Sequence, residues 1–425
     1  MSCKWVGKMV SVLQMVVNQM GNSRWGEEKK EWAIFCRKGR YGQKMKKKNI
    51  VVAVTNDLVT DQRVHRSCMA LVEAGYGVTL VGRRLPESLS LGHREYDTRR
   101  MRLLFRRSAL FYAEYNIRLM LHLLFARADA FYANDSDTLL ACCWAARLRK
   151  KRLIFDAHEL FPEVPELVGK PRVRRVWQWV ERHCLPQVDA AFTVCESVAK
   201  EYERRYGVNM TVVRNLPDWK PEENYAIAPH GKPWVILYQG AVNVGRGVRE
   251  LIDAMEFLPD CRLVVAGDGD QKDALESYSN SRTWRERIAF MGRVRPEELH
   301  TLTQKADLGV CLLEDMGLNY RYSLPNRIAD FAHAGVPILA TDFYEISRVI
   351  NTYRTGTTVG PCPKEKTGAA YQDYVTRLAK AIDNTILYWN TLPRKEREQR
   401  FVKARKELNW ESEKKLLKER IDAII

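Results

Sequence analysis

Short apolar runs alternate with amphipathic stretches along the chain from Asn49 onward. Runs such as residues 50–55 and 78–82 are rich in β-branched side chains and short enough for buried strands. The stretches between such runs place their apolar residues at helical spacing. Strand and helix therefore alternate, which predicts an α/β protein whose parallel sheets carry helices on both faces.

A polar stretch divides this pattern in two. Residues 218–232 contain two prolines and one glycine and show no apolar periodicity. We predict a linker here, between an N-terminal Rossmann-like domain at residues 49–217 and a C-terminal one at residues 233–425 that ends in helices. A chain of 425 residues is long enough for two such doubly wound domains.

The first 48 residues differ from the rest, with twelve Lys and Arg against three Glu and only weak periodicity. Polar side chains interrupt the apolar residues at 9–20, so we do not predict a signal peptide. Met45 is followed by three lysines and the first predicted strand. We therefore expect residues 1–44 to be a disordered arm or an upstream reading that precedes the true initiator.

The whole chain has a formal net charge of +17. This charge favours an anionic partner such as a nucleotide phosphate, a nucleic acid or an anionic membrane surface. The ten cysteines form no CxxC pair and lie mostly in apolar runs, which indicates reduced core thiols in a cytosolic protein. No run of eighteen apolar residues occurs, so no transmembrane helix is expected.

The most informative motif is SLPNRIADFAHAGVPILATDF at residues 323–343. A polar loop ends at Pro325, a helix-compatible run follows until Gly335, and a short apolar strand comes next. A loop that feeds a helix N-terminus presents free N–H groups and a positive dipole end, which suits a diphosphate. Asp330 lies one to two turns into this helix, where a carboxylate can reach ribose hydroxyls.

A glycine-rich turn, YQGAVNVGRG at residues 238–247, follows another predicted strand. Gly240 and Gly245 let the backbone approach a phosphate, and Arg246 supplies a neutralising cation. Further along, VVAGDGD at residues 264–270 ends a strand sharply, and we interpret Gly267 as a requirement of shape.

In the first half, DAHEL at residues 156–160 ends a predicted strand. Parallel sheets bind ligands at this end of their strands, so His158 is placed to hydrogen-bond a ligand there. The polar loop TNDLVTDQR after the first strand supplies Asp61 and Arg63 for substrate or loop-ordering contacts. We interpret residues 134–137, NDSD, as a helix N-cap cluster and predict no metal site.

These motifs resemble the glycosyltransferases of family four with the GT-B fold, whose donor segment reads roughly LPNKLFEYMAAGLPVIA. The resemblance extends over residues 49–425 and implies two Rossmann-like domains that face each other across a cleft. It also implies a retaining, metal-independent transfer of a sugar from a nucleotide-diphosphate sugar to an acceptor hydroxyl. No cofactor is implied, since the nucleotide-sugar is a substrate. The chain departs from the family at several places: Tyr322 and Asp330 replace two Glu residues, Ala241 replaces a cation, and a polar loop replaces the glycine-rich loop after the first strand.

The resemblance assigns roles by position. The expected catalytic residues are Arg246, His158 and Arg327. The expected donor contacts are Gly240, Gly245, Gly267, Asn319, Tyr320, Tyr322, Ser323, Leu324, Pro325, Asn326 and Asp330. The expected acceptor contacts are Asp61, Arg63, Glu159 and Glu163.

Residues 99–127 interleave seven arginines with large apolar side chains. This composition fits either an anionic membrane surface or a domain helix with an exposed basic side. We expect a cytoplasmic protein, free or at the inner face of the cell membrane. Its expected acceptor is a saccharide or a lipid-linked saccharide in surface polysaccharide or glycolipid synthesis.

Several alternatives stay open at this point. A sugar-nucleotide epimerase with the same fold needs no acceptor, and a non-catalytic nucleotide-sugar-binding protein would explain Tyr322 and Ala241. A nucleic-acid-binding protein would explain the charge, but no basic-aromatic motif supports it and we expect no nucleic-acid partner. A nicotinamide dehydrogenase would need GxGxxG after the first strand, which is missing. The sequence leaves the sugar, the base and the acceptor undetermined.

Overall fold

The computed structural model describes residues 47–59, 61–86, 88–218 and 231–425. Residues 1–46, which include Met45 and almost all of the predicted basic extension, lie outside this part of the chain. So do residues 219–230, which make up most of the predicted linker. Residues Lys48–Ile425 form one compact unit.

The first lobe is built on a parallel sheet of seven strands. They are β1 (Asn49–Asp57), β2 (Gly77–Arg84), β3 (Asp97–Arg102), β4 (Ala130–Asn134), β5 (Arg152–Ala157), β6 (Ala190–Thr193) and β7 (Thr211–Val212). Their order across the sheet is β3-β2-β1-β4-β5-β6-β7. The helices of this part of the chain are α1 (Gln62–Glu73), α2 (Ser108–Phe125), α3 (Ser136–Arg149), α4 (Pro171–Cys184) and α5 (Glu196–Tyr206).

The second lobe has a parallel sheet of six strands. They are β8 (Trp234–Gln239), β9 (Cys261–Ala266), β10 (Ile288–Gly292), β11 (Leu308–Cys311), β12 (Ile338–Thr341) and β13 (Gly356–Val359), in the order β10-β9-β8-β11-β12-β13. The accompanying helices are α6 (Val248–Ala254), α7 (Lys272–Asn280), α8 (Pro296–Gln304), α9 (Leu318–Tyr322), α10 (Asn326–Ala334), α11 (Tyr344–Tyr353), α12 (Gly368–Thr391) and α13 (Arg394–Glu407). The predicted fold class of two doubly wound parallel-sheet domains is confirmed.

One predicted helical stretch is partly a strand. Residues 98–127 show helical spacing in the sequence, but the first of them belong to β3, which pairs in parallel with β2 through Thr79 and Asp97. Met101 is the buried side chain of this edge strand. The strand depends on its pairing with β2, a long-range contact that local periodicity does not reveal.

The last helix, α14 (Trp410–Asp422), packs on the first lobe although it follows the second. Trp410, Leu417 and Ile421 are buried in the same core cluster as Leu71 of α1. Full burial of side chains of this size stabilises a fold by about 1.5–3 kcal/mol each. The predicted domain range 233–425 places this helix with the second lobe, whereas its apolar face completes the first.

The polar residues of interest lie where parallel strands end. Because all strands of each sheet run in the same direction, their carboxyl ends share one edge. In the first lobe this edge carries the residues that follow β1, β4 and β5. In the second lobe it carries the turn after β8 and the segment between β11 and β12. The two edges line one cavity.

Candidate functional site

A cavity of about 670 Å³ lies between the two lobes. We call it the interlobe cavity. The first lobe contributes Asn56, Asp61, Gln62, Arg63, His158, Glu159, Val194, Val198 and Asn215. The second lobe contributes Gln239, Gly240, Ala241, Arg246, Leu299, Asn319, Tyr320, Ser323, Leu324, Pro325, Asn326, Arg327 and Asp330. All three predicted catalytic residues therefore border a single space, together with most of the predicted donor contacts.

Four of the predicted site residues do not line this cavity. Gly245 borders a neighbouring cavity of about 250 Å³. Gly267 lies behind the turn, where an added Cβ would come within 1.8 Å of the Gly240 carbonyl oxygen. It therefore acts through shape, as predicted for a glycine at this strand end.

The other two, Tyr322 and Glu163, lie away from the cavity. Tyr322 packs against the core of the first lobe, and its carbonyl oxygen accepts a hydrogen bond from Cys195 Sγ at 2.9 Å. Glu163 was predicted to bind acceptor hydroxyls. Its carboxylate instead forms ion pairs with Arg174 and, at 2.8 Å, with Arg205, because α4 and α5 bring both guanidinium groups to it.

Arg246 stands on the glycine-rich turn between β8 and α6, with its guanidinium carbon 4.8 Å from the centre of the Tyr320 ring. Its Nε atom is buried and has no hydrogen-bond partner in the described part of the chain. No Asp or Glu among the described residues forms an ion pair with it. The ring of Tyr320 thus positions a cation at the cavity without neutralising it.

Arg327 supplies a second cation, in the first turn of α10. Its side chain is only 8% exposed, and its guanidinium carbon lies 4.6 Å from the centre of the Tyr238 ring. Its Nη1 atom is buried and has no hydrogen-bond partner within the described ranges. A Cβ at Gly240 would lie 2.9 Å from its Nη2 atom, so a larger residue there would displace this guanidinium. A buried cation with an unsatisfied donor is a favourable partner for an anion.

The N-terminus of α10 also borders the cavity. Pro325 precedes the helix with extended backbone angles and caps it without a side-chain hydrogen bond. The Ile328 N–H donates a 3.0 Å hydrogen bond to the Pro325 carbonyl oxygen, whereas the first two N–H groups of a helix have no intrahelical acceptor. The helix dipole is positive at this end. The side chains of Ser323 and Asn326 flank the same opening. These groups complement the two arginines as a site for phosphate oxygens.

Asp330 lies one turn deeper in α10 and borders the same cavity. Gln239 Nε2 donates a 3.4 Å hydrogen bond to its Oδ2 atom. Burial raises the pKa of Asp330 to about 6, although the charges of Arg66 and Arg327 act in the opposite direction. The carboxylate is thus a hydrogen-bond acceptor at the cavity, and its neighbours Gln239 and Arg66 are not indicated by the local motif.

His158 borders the same cavity from the end of β5. Its Nδ1 atom lies 3.5 Å from Asp135 Oδ2, and its Nε2 atom lies 3.4 Å from Asp156 Oδ2. Burial alone would lower the pKa of His158, but the two carboxylates raise it to about 9. The two carboxylates thus favour the protonated imidazole over the neutral one.

Asp135 holds His158 in place. Its Oδ1 atom accepts a 2.8 Å hydrogen bond from the backbone N–H of His158. Its own backbone has φ 58° and ψ 168°, which is costly for a residue other than glycine. The residue pattern predicts Asp135 only as part of an N-cap cluster, yet its side chain makes no cap hydrogen bond. The adjacency of β4 and β5, which creates this contact, is a feature of the strand order.

Arg63 and Asp156 form a buried ion pair, and Asp61 makes separate contacts at the start of α1. Arg63 donates hydrogen bonds to Asp156 Oδ1 and to the Val213 carbonyl oxygen, each at 2.7 Å. Asp61 caps α1 by accepting a 2.9 Å hydrogen bond from the Val64 N–H. Both residues border the cavity, but these contacts order the loop after β1.

Asn319 joins the two lobes across the cavity. Its side-chain oxygen accepts a 2.9 Å hydrogen bond from the Leu160 N–H, and its side-chain nitrogen donates one of 3.1 Å to Glu159 Oε2. Burial and the charge of Asp135 raise the pKa of Glu159 to about 7. The bridge links α9 of the second lobe to the segment after β5.

Two further findings describe the chain. Among the described residues, no group of three or more His, Cys, Asp or Glu side chains is arranged to hold a metal ion. Within the same residues, no helix combines the length and the apolar character that crossing a membrane requires.

Two protein-family models match the chain. The model described as Glycosyltransferase Family 4 matches residues 61–218, and the model described as Glycosyl transferases group 1 matches residues 220–382. A glycogen synthase of Mycobacterium tuberculosis is 26% identical over 198 residues, which is 45% of this chain and 45% of that protein. The match thus spans about half the length of this curated relative.

Solved structures share the architecture. A sucrose-phosphate synthase of Thermosynechococcus elongatus aligns with a TM-score of 0.67 and 17% identity, over 89% of this chain and 99% of that one. The HepE protein of Anabaena, solved in complex with UDP-glucose, aligns with a TM-score of 0.61 and 12% identity, over 88% and 99%. At these identities the likeness shows that the GT-B fold is shared.

Proposed function

We propose that this chain transfers a sugar from a nucleotide-diphosphate sugar to an acceptor hydroxyl. The chain belongs to the glycosyltransferases that join a Glycosyltransferase Family 4 domain to a Glycosyl transferases group 1 domain. One observation carries this proposal. Arg246, Arg327, the N-terminus of α10 and Asp330 converge on one interlobe cavity. Two cations and a helix dipole suit a diphosphate, and a carboxylate beyond them suits a ribose.

The reaction is proposed to proceed with retention of the anomeric configuration. The bond from the anomeric carbon to the diphosphate oxygen breaks while the acceptor oxygen bonds to the same face of that carbon. The acceptor proton passes to the leaving phosphate oxygen, so that the products are a nucleoside diphosphate and a glycosylated acceptor. Arg246 and Arg327 stabilise the charge that develops on the leaving diphosphate. No metal ion or cofactor takes part in this scheme.

His158 is proposed to face the transferred sugar as a cation. Its two ring nitrogens already lie near Asp135 and Asp156. It therefore contributes charge and position, while the proton of the acceptor goes to the donor phosphate. The HepE structure with UDP-glucose supports a uridine nucleotide as the first donor to test.

The experiment is a donor screen with the full-length protein. UDP-glucose, UDP-galactose, UDP-N-acetylglucosamine and GDP-mannose are each incubated without and with a mixture of saccharide acceptors, and release of nucleoside diphosphate is measured. NMR spectroscopy of the product then gives its anomeric configuration. Formation of an epimer in the absence of acceptor would identify an epimerase, and tight binding without any turnover would identify a non-catalytic binding protein. Either outcome would contradict the proposal.

We also propose that the protein acts in the cytoplasm, at the inner face of an anionic membrane, in surface polysaccharide or glycolipid synthesis. Helix α2 buries one side and exposes a stripe on the other, in which each side chain is 54–85% exposed: Leu110, Ile117, Leu121 and Phe125. Their spacing of seven, four and four residues places them on one face. Exposed arginines at positions 106, 107 and 127 accompany the stripe, and this combination suits shallow insertion among anionic lipids.

Vesicle flotation tests this location. Wild-type protein is expected to float with phosphatidylcholine vesicles that contain phosphatidylglycerol, and the triple variant I117S/L121S/F125S is expected to float several-fold less. A variant with exposed apolar residues of the second lobe removed, V244S/F257S, serves as the control. Failure of the wild-type protein to float at low salt would contradict the membrane location without bearing on the transfer reaction.

A further inference from the structure

A second basic cavity opens in the first lobe. It has a volume of about 330 Å³, and we call it the basic cavity. It is lined by Arg83, Arg84, Leu85, Pro86, Arg102, Leu103, Phe105, Arg106 and Phe111. These residues come from the ends of β2 and β3 and from the start of α2, and none of them lines the interlobe cavity.

The charge of the basic cavity is not neutralised. Of its nine lining residues four are arginines, and none is acidic. Within the described part of the chain, no Asp or Glu forms an ion pair with any of the four. The nearby Asp57 pairs with Arg100 at 3.2 Å, outside the cavity lining. Four uncompensated guanidinium groups around one cavity suit a phosphate or diphosphate group, whose oxygens accept paired N–H donors.

Arg83 is held in position within this cavity. Its guanidinium carbon lies 4.9 Å from the centre of the Phe111 ring. Its Nε atom is buried and has no hydrogen-bond partner among the residues that the structure describes. The loop beside it is also fixed, because Glu114 accepts hydrogen bonds of 2.9 Å from the N–H groups of Leu104 and Phe105. The cavity wall is thus held in place by hydrogen bonds, and the Nε–H group of Arg83 has no acceptor among the described residues.

Exposed apolar side chains accompany the cavity lining: Phe105 is part of it, and Leu104 and Leu110 directly precede lining residues. Leu104 is 79% exposed, and Phe105 and Leu110 also expose much of their side chains. Leu110 is the first residue of the exposed stripe of α2. A phosphate group that enters the cavity would therefore have an apolar surface beside it, which is the arrangement that an amphiphile requires.

The basic cavity adjoins the acceptor side of the interlobe cavity. Asp57 at the end of β1 is paired in the sheet with Arg83 at the end of β2. Asn56, the residue before Asp57, lines the interlobe cavity. Neighbouring strands lie about 4.8 Å apart. The two cavities therefore border neighbouring strand ends at the same edge of the sheet.

We propose that the basic cavity binds the phosphate or diphosphate group of a lipid-carried acceptor, whose sugar hydroxyl reaches into the interlobe cavity. This inference rests on the proposed transferase function, because it names the class of acceptor. The four arginines recognise the phosphate oxygens, and Leu104, Phe105 and Leu110 contact the first part of the lipid chain.

Farnesyl diphosphate is the probe, because it combines a diphosphate with a short isoprenoid chain. Binding to the full-length protein is measured by titration calorimetry with saturating UDP, which fills the donor site and prevents the diphosphate from binding there. The variant R84Q/R102Q/R106Q removes three exposed charges of the cavity. The variant R262Q/R285Q/R394Q removes three exposed charges from the second lobe and is the matched control.

Farnesyl diphosphate is expected to bind wild type and control alike, and at least tenfold more weakly to R84Q/R102Q/R106Q. Inorganic pyrophosphate, which has no lipid chain, is expected to bind wild type at least tenfold more weakly than farnesyl diphosphate. If the control and the cavity variant lost affinity for farnesyl diphosphate equally, the basic cavity would not be the binding site. Equal affinity for pyrophosphate and farnesyl diphosphate would overturn the lipid-carried acceptor.

The proposed function is tested separately in the same preparation. Hydrolysis of UDP-glucose by wild type is measured without farnesyl diphosphate, so that it depends only on the donor site. Absence of hydrolysis together with specific farnesyl diphosphate binding would count against the transferase and leave a basic amphiphile site. Hydrolysis together with unspecific binding would count against the basic cavity alone.

Discussion

His158 and Asp135 form a close pair at the edge of the first sheet, with 3.5 Å between Nδ1 and Oδ2. Asp156 lies on the other side of the ring. Burial acts against the charged imidazole, but the two carboxylates outweigh it and raise the pKa of His158 to about 9. The ordinary pKa in an unfolded chain is about 6.5.

We expect stability to depend on pH through this pair. The folded pKa lies above the unfolded one, so the contribution of His158 is fully present below pH 6.5 and is lost as the pH rises towards 9. Its size is on the order of 3 kcal/mol, since one pKa unit corresponds to about 1.4 kcal/mol. In D135N one carboxylate is missing and the pKa of His158 should fall, as NMR titration of its ring protons will show.

Urea unfolding at pH 6.5 and pH 9 completes this test. The difference in unfolding free energy between wild type and D135N should shrink as the pH rises. The exposed variant D260N is the control and should follow wild type at both pH values. An unchanged His158 titration in D135N would contradict the proposed pairing.

We expect a second pH dependence of the free energy of unfolding, which arises from Asp137. It is buried, it accepts a hydrogen bond from the Thr55 hydroxyl, and burial together with the charge of Asp135 raises its pKa to about 8. Between pH 4 and pH 8 the folded state holds a proton that the unfolded state has released. The free energy of unfolding should therefore fall as the pH rises, by up to about 1.4 kcal/mol per unit from this group.

The variant D137N removes this titration and keeps a hydrogen-bond acceptor for Thr55. Its free energy of unfolding, measured by urea titration from pH 5 to pH 8, should decline less steeply than that of wild type. The exposed variant D273N should retain the wild-type slope. Parallel curves for wild type and D137N would show that Asp137 is already ionised in the folded protein.

Arg246 predicts a loss of turnover. The variant R246A removes an unpaired cation at the proposed diphosphate site and should cost roughly 2–4 kcal/mol in the transition state. That cost corresponds to a decrease in kcat of about 30- to 900-fold, measured as release of nucleoside diphosphate. R262A, which removes an exposed arginine of the same lobe, should keep wild-type activity. Activity of R246A within twofold of wild type would exclude the assigned role.

Asp330 predicts pH-dependent nucleotide affinity. Its pKa is raised to about 6, and only the ionised carboxylate accepts hydrogen bonds from both ribose hydroxyls. The affinity for UDP should therefore increase from pH 5 to pH 7.5. D330N should bind about tenfold more weakly at pH 7.5 and show little change with pH. Titration calorimetry measures both, with the exposed variant D342N as control, and an unchanged affinity in D330N would argue against ribose binding.

The sequence predicted many elements because their signals are local. The apolar run of β1 and the helical periodicity of α10 can be recognised from consecutive residues alone. Gly335 ends α10 in a left-handed conformation with φ 77°. The edge strand β3 was missed because its stability comes from pairing with β2. The association of α14 with the first lobe was likewise missed, since its apolar positions do not specify which core they join.

The candidate site likewise contains some residues that a local motif identifies and others that only the fold brings together. The residues of the glycine-rich turn and of residues 323–330 were identified because one continuous motif contains them. Asp135 and Asp156 act on His158 from different strands, and their effect depends on the neighbouring positions of β4 and β5. Glu163 was expected at the acceptor and forms ion pairs with arginines instead.

The sequence by itself determined the alternation of strand and helix, the division into two units and the family to which the chain belongs, because periodicity and motifs are written in consecutive residues. The tertiary structure alone decided which side chains share a cavity, which arginines are left without a carboxylate and which lobe receives the last helix. These relationships are set by strand order and by packing between residues that are far apart in the chain. The charge state and burial of each side chain depend on these distant neighbours, which cannot be read from the adjacent sequence.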